Sequence, residues 1–149
     1  MARRVIRGWA PHRLTRLRDK EGWSEAELGR LARVSPQAIR NWESGLTEGP
    51  QVDKLARVAA ALGASMADLV KVPPRERYLS DLRVLAGLVQ PEVARLLGVS
   101  TGYYSDLERG EKNLSDQHAA AIANLFHTTP DIVRAAHERA RLRPPGTPA

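Results

Sequence analysis

The sequence contains an internal repeat at a spacing of 65 residues, which limits the folds that the chain can adopt. Residues 12–45 align without a gap to residues 77–110, and 11 of the 34 aligned positions are identical. Beyond this segment the frame slips by one residue while the apolar pattern continues to match in kind. In a chain of 149 residues, a repeat of this length predicts two tandem domains of about 65 residues each.

Each copy contains the pattern of two short helices joined by a tight turn. In the first copy, Ser24 followed three residues later by Glu27 is a capping-box pattern that begins a helix. Ser35 and Pro36 then form the cap and first position of a second helix. Gly45 is a typical helix stop. Residues 24–45 therefore predict a helix-turn-helix, the unit that places a helix in DNA.

Apolar spacing predicts which side of this unit faces the core. Leu28, Leu31 and Ala32 follow one another at helical spacing, as do Ile39 and Trp42 in the second helix. The polar side chains between them are therefore expected to face outward, where they can hydrogen-bond to base edges and phosphates.

The same periodicity, continued along the chain, predicts three more helices in each copy and no strands. We therefore expect an all-α fold of two tandem five-helix domains. The expected boundaries are a basic arm plus the first domain at 1–70, a proline-containing linker at 71–77, the second domain at 78–142 and a disordered tail at 143–149.

Net charge is +6, and it is concentrated at the N-terminus. The first 24 residues carry seven basic and two acidic side chains, whereas the rest of the chain is nearly balanced. Arg3, Arg4 and Arg7 are expected to lie on a flexible arm that reaches along a DNA backbone, where attraction to phosphate is independent of sequence. The alternative for this arm is plain disorder.

The motifs VSPQAIRNWESG and VSTGYYSDLERG carry a family resemblance. Each copy resembles a Cro/C1-type helix-turn-helix domain of the XRE family, with a Val-Ser turn and a third helix ending in Glu-x-Gly. The resemblance implies a Cro/C1-repressor-like fold, double-stranded DNA as the partner and a transcriptional regulator, which we expect to be a repressor.

The resemblance also implies which residues contact DNA. Gln90 stands where the family commonly has a DNA-contacting glutamine, and the first copy has Glu25 there instead. Glu43 and Glu108 are expected to fix local structure. The implied DNA-contacting residues on the third helix of each copy are Gln37, Ala38, Arg40, Asn41 and Ser44 in the first, and Thr101, Gly102, Tyr103, Ser105, Asp106 and Arg109 in the second.

Two alternatives concern the second copy. Asp106 repels phosphate unless it accepts a hydrogen bond from a cytosine amino group, and Tyr103 and Tyr104 are expected to be exposed or half-exposed. This copy could therefore be an antitoxin-like or coactivator-like protein-interaction module. An apolar stripe on the last helix is expected to lack a partner and to favour a homodimer; its residues are Ile132, Val133, Ala136 and Ala140.

Several other functions are disfavoured. The chain has no cysteine, and its four histidines share no metal-ligand spacing. We therefore expect no enzyme activity, no metal and no cofactor, and no small-molecule ligand is evident. No apolar run approaches the length of a membrane span, so we expect no membrane association and a cytoplasmic protein.

Overall fold

The computed structural model describes residues 6–46 and 49–149. Within these ranges every regular element is a helix, apart from an isolated β-bridge, so the all-α prediction is confirmed. The chain divides into two compact units, with the boundary between Lys71 and Val72. In the described ranges, no helix is both long and apolar enough to cross a bilayer.

The first unit contains five α-helices, as predicted. The caps at Ser24 and Ser35 form, because each hydroxyl accepts a hydrogen bond at 3.1 Å from an amide in the first turn. Gly45 ends the third helix in the left-handed conformation, with a φ of 72°. The helices are α1 (Pro11–Glu21), α2 (Glu25–Ala32), α3 (Pro36–Ser44), α4 (Val52–Ala61) and α5 (Met66–Leu69).

One expected core residue of α2 is not in the core. Leu28 and Ala32 are buried, but Leu31 is 45% exposed and its counterpart Leu96 is 46% exposed. The reason is angular, since successive residues are about 100° apart around a helix, which turns Leu31 away from the side that Ala32 buries. An eight-residue helix buries a narrower stripe than its apolar spacing suggests.

The segment before α1 is part of the first unit's fold. Residues 6–10 run antiparallel to residues 69–71, with a bridge between Trp9 and Val70 and a 2.9 Å hydrogen bond from the Lys71 amide to the Gly8 carbonyl. A Cβ on Gly8 would lie 2.3 Å from the Lys71 carbonyl oxygen, so only glycine allows this approach. The expected flexible arm is therefore wrong for residues 6–10, while Arg3 and Arg4 lie outside the described residues.

The second unit begins with a short 3-10 helix, Pro74–Glu76, in the stretch expected to be an extended linker. Five α-helices follow, and Val89 caps its helix with no side-chain hydrogen bond, as its apolar side chain requires. These helices are α6 (Leu79–Leu85), α7 (Gln90–Leu97), α8 (Thr101–Glu108), α9 (Asp116–Leu125) and α10 (Pro130–Arg141).

Tyr104 corrects a second expectation. Expected to be exposed or half-exposed, it is fully buried and is the largest of the fully buried side chains. It packs in one cluster with Leu79, Val93 and Ile122. Burial raises the pKa of the Tyr104 hydroxyl well above its ordinary value, because the phenolate would lose its hydration.

The predicted free face of α10 is largely absent. Val133, Ala136 and Ala140 are fully buried within the second unit, and only Ile132 of that stripe is exposed, at 48%. The stripe is covered because α10 packs along α6 and α9. The basis for a homodimer through this stripe is therefore removed.

Both ends of the stretch 143–149, which was expected to be disordered, contact the second unit. The Arg143 guanidinium donates to the Arg109 carbonyl, and Ala149 is only 3% exposed.

Gly110 lets the end of α10 approach the turn after α8 closely, since a Cβ there would lie 2.5 Å from the Arg141 amide nitrogen.

Candidate nucleic-acid interface

In each unit, an arginine of the first helix holds a glutamate near the end of the third. Arg18 donates from Nε and Nη2 to Glu43, at 2.7 and 2.9 Å, and from Nη1 to the Trp23 carbonyl at 2.8 Å. Arg83 donates in the same way to Glu108, at 2.8 and 3.2 Å. We call this pair the brace. The carboxylates of the two glutamates are therefore bound within their units and connect the third helix to the first.

The turn between α2 and α3 is tight enough to need special backbone positions. A Cβ on Gly29 would lie 2.5 Å from the Val34 carbonyl oxygen, so the absent side chain lets the turn close over α2. Arg33 ends α2 in the left-handed region with a φ of 57°, where the second unit has Gly98. Arg57 supports this strained turn by donating to the Arg33 carbonyl at 3.2 Å.

The outward face of α3 is a connected polar surface. Arg40 and Gln37 are exposed and Asn41 is half-buried. The Gln37 amide donates to Asn41 Oδ1 at 2.9 Å, and Arg40 Nη1 donates to Gln37 Oε1 at 2.7 Å. Arg40 Nε also donates to Glu25 at 3.1 Å, from the start of α2. All these bonds lie at the surface, so their partners can be exchanged for DNA groups.

Two other predicted residues lie at the ends of this surface. Ala38 is half-buried, whereas Ser44 is exposed and donates through its hydroxyl to the Asn41 carbonyl at 3.0 Å. Ser44 also lines an open depression of about 670 Å³ together with His12 and Arg16 of α1. A phosphate group could contact a hydroxyl and a guanidinium there.

The equivalent face of α8 has a different charge balance. Thr101 and Gly102 are exposed. Arg109 donates to Ser105 Oγ at 2.6 Å, to Asp106 at 2.7 Å and to Glu111 at 3.1 Å. The hydrogen bond with Glu111 raises the pKa of Arg109 and lowers the pKa of Glu111. The arginine of this face is thus neutralised by two carboxylates.

Tyr103 is half-exposed, as expected, whereas Gln90 is less available than the sequence suggested. Tyr103 is half-buried, with its ring edge-on to His118 and the Lys112 ammonium 5.1 Å from the ring centre. Gln90 donates to Glu108 at 3.0 Å, so its amide is bound to the brace. Of the predicted arm, Arg7 lies in the described residues and is exposed.

Sequence reasoning missed the acidic partners of both interface arginines. Glu25 and Arg40 are fifteen residues apart, on different helices, and no local rule pairs them. Glu111 lies two residues after Arg109, so the sequence shows that the two side chains are near each other. Whether they pair depends on the turn at Gly110, which directs Glu111 back toward Arg109.

Comparison with known proteins agrees with this geometry. A helix-turn-helix family model matches the chain twice, over residues 14–69 and 79–133, which together make up most of its length. No curated protein and no solved structure matched the chain. The two matched segments contain the helix pairs α2–α3 and α7–α8 and the brace of each unit. The chain therefore belongs to the Cro/C1-type helix-turn-helix family of DNA-binding regulators, with two such domains in tandem.

Proposed function

We propose that this protein is a sequence-specific transcriptional regulator whose first unit reads the major groove with α3. The supporting observation is the exposed Arg40, held by a single carboxylate beside the amides of Gln37 and Asn41. Arginine pairs bidentately with guanine and the amide side chains with adenine, so this surface carries groups that distinguish bases.

The second unit contributes less to binding. Arg109 faces two carboxylates, and Asp106 adds repulsion toward phosphate unless a cytosine amino group lies opposite it. The alternative, in which the second unit is a protein-interaction module, is supported by Tyr103, which stays partly accessible beside Lys112.

The N-terminal arginines add affinity without specificity. Arg3 and Arg4 precede the described residues, and the exposed Arg7 lies on the segment that pairs with residues 69–71. Each arginine that contacts phosphate should add about 0.9 to the salt slope of binding. Deleting residues 1–5 should reduce this slope and leave the preferred site unchanged.

Repression is the regulatory outcome that we propose. A protein that occupies a DNA site excludes others from it, and this requires only DNA binding. We further propose that one chain binds without pairing through α10, since Val133, Ala136 and Ala140 are used inside the second unit.

Selection of bound sites from random DNA tests this proposal, followed by affinity measurements on the selected site and on scrambled DNA. Replacing Arg40 by alanine in the full chain should cost about 1–3 kcal/mol on the selected site and little on scrambled DNA. The matched replacement of Arg109 should cost less on the selected site. Equal losses on both DNAs for Arg40→Ala would make Arg40 a phosphate contact, and a larger loss for Arg109→Ala would make α8 the reader.

A further inference from the structure

A cleft of about 530 Å³ lies within the second unit, away from the outward face of α8. Its apolar lining comes from Leu82 and Leu85 of α6, Phe126 at the end of α9, and Ile132 of α10. Ile132 is the residue of the α10 stripe that stays exposed, so the cleft keeps part of its apolar wall in contact with water. Its volume falls within the range of about 300–1,000 Å³ typical of small-molecule sites.

The charged residues around this cleft are mainly basic. Arg75, Arg77 and Arg139 line it together with a single carboxylate, Asp131. Arg75 is exposed and makes no hydrogen bond or ion pair with any described residue. A guanidinium without a partner beside an apolar wall is a donor for an acidic group that approaches with an apolar body.

The other two arginines are fixed in place. Arg77 Nε donates to the Val72 carbonyl at 2.9 Å, and Arg139 Nη1 donates to the Arg77 carbonyl at 2.9 Å. Each of these bonds uses one of the five donors of its guanidinium, so the others remain for a ligand. Two arginines held by backbone carbonyls lose less side-chain entropy on binding than two mobile ones.

The two units differ in the segment that precedes their first α-helix, and this difference places Arg75 at the cleft. In the first unit, the residues before α1 run extended and pair with residues 69–71. In the second unit, the 3-10 helix Pro74–Glu76 occupies the equivalent stretch, and Pro74 and Arg75 border the cleft. The turn therefore brings a basic side chain to the edge of the apolar wall.

We propose that this cleft binds a small organic anion with an apolar body, such as an amphipathic carboxylate. The apolar walls receive the body of the ligand and the arginines receive its acidic group. A protein partner fits less well, because a stable protein interface buries about 1,200 Å² or more and a cleft of this volume holds a drug-sized molecule. The cleft is lined by residues of α6 and α10 and the segments beside them, and none of its lining residues belongs to α3 or α8.

The fluorescent anion 8-anilinonaphthalene-1-sulfonate tests this site in the full chain. Its emission should rise and shift to the blue on binding, and decanoate should displace it. Decanol has the same apolar body without the charge, so it should compete about tenfold more weakly, as expected for losing a charged hydrogen bond. Equal displacement by decanol and decanoate would overturn the proposal.

A matched pair of variants locates the binding. Ala135 is an exposed residue of α10 that lines the cleft, and Ala120 is an exposed residue of α9 that does not. Ala135→Trp should fill the cleft and remove the displaceable fluorescence, whereas Ala120→Trp should bind the probe as the parent does. Binding by Ala135→Trp at the parent's affinity, or an equal loss in both variants, would contradict the site.

A charge variant decides the matter if Ala135→Trp does not fold. Arg75→Gln removes an exposed charge that has no partner among the described residues, so the fold should be unaffected. Probe affinity should fall several-fold, while Arg30→Gln, at an exposed position of the first unit, should leave it unchanged. Unchanged affinity in Arg75→Gln would overturn the assignment.

Discussion

Glu25 orders the Arg40 side chain and also opposes the DNA-binding role that we propose for it. Its carboxylate accepts from Arg40 Nε at 3.1 Å, with the guanidinium 57% exposed. A surface ion pair of this kind contributes only about 0–1 kcal/mol, so DNA can replace it. The Glu25 carboxylate, at the start of α2, would then lose its arginine partner and repel the DNA phosphates.

Replacing Glu25 by glutamine should therefore strengthen DNA binding. Removing this charge frees Arg40 and abolishes repulsion toward phosphate, and we expect a gain of about 0.5–1.5 kcal/mol at low salt. Fluorescence anisotropy with labelled DNA measures it. Glu27→Gln is the matched control, since Glu27 lies on the same helix and is exposed. Weaker binding by Glu25→Gln would mean that the pair is needed to orient Arg40.

Arg33 has a backbone conformation that is unfavourable for a residue with a side chain. It has a φ of 57°, a conformation that costs a residue with a Cβ roughly 1 kcal/mol or more relative to glycine. The second unit has Gly98 at the equivalent position.

Arg33→Gly should therefore stabilise the first unit by about 0.5–1 kcal/mol, because the left-handed strain is relieved. Urea denaturation followed by circular dichroism measures the change. Arg30→Gly, inside α2, should instead destabilise by about 1 kcal/mol, since glycine is a poor helix former. If both variants were destabilised, the conformational entropy that glycine adds to the unfolded chain would outweigh the strain relieved at residue 33.

At the scale of elements, the brace connects the first and third helices of each unit. Glu108 is 1% exposed and accepts hydrogen bonds from both Arg83 and Gln90. A buried ion pair adds little relative to an apolar core, but removing one partner leaves the other charge uncompensated. Loss of the Glu108 carboxylate should therefore disturb the packing of α8 against α6.

Glu108→Gln should cost about 3–5 kcal/mol of unfolding free energy, because Arg83 would keep a buried charge without its carboxylate. Glu92→Gln is the comparison, because its pair with Arg95 is exposed and screened by solvent, so its loss should cost far less. Chemical denaturation of the full chain distinguishes them. A similar small cost for both changes would show that Arg83 reaches solvent when the carboxylate is lost.

The elements that the sequence predicts well are those governed by local rules. The caps at Ser24 and Ser35 depend on residues three positions apart, and both form. The environments of Leu31 and Tyr104 were predicted incorrectly because burial depends on which neighbouring helices cover a side chain. The sequence placed the candidate interface on a helix whose outward face the structure shows to be polar, while the pairing of Arg40 with Glu25 depends on the packing of α2 against α3.

In the molecule as a whole, the apolar side of α10, the longest helix of the second unit, is covered by that unit's own helices. Val133, Ala136 and Ala140 of α10 are fully buried, and the tail from Arg143 packs beside them through the Arg109 carbonyl. Small domains bury a modest share of their surface, so covering this stripe is a substantial contribution to the second unit's core.

We therefore expect a monomer of 16.4 kDa in solution at micromolar concentration. Multi-angle light scattering after gel filtration measures the mass, and Ile132→Glu serves as the control because it adds charge at the exposed position of the stripe. A dimeric mass in the parent that Ile132→Glu converts to a monomer would show that α10 pairs two chains after all.

The duplicated brace separates what holds a unit together from what a unit recognises. Its arginine and glutamate are identical in both copies, whereas none of the five outward positions of α3 (Gln37, Ala38, Arg40, Asn41 and Ser44) has the same residue in α8. The outward positions can therefore differ without a change in the contacts that hold the third helix. The outward residues of α3, transferred to α8, would lie on a helix held by the same brace.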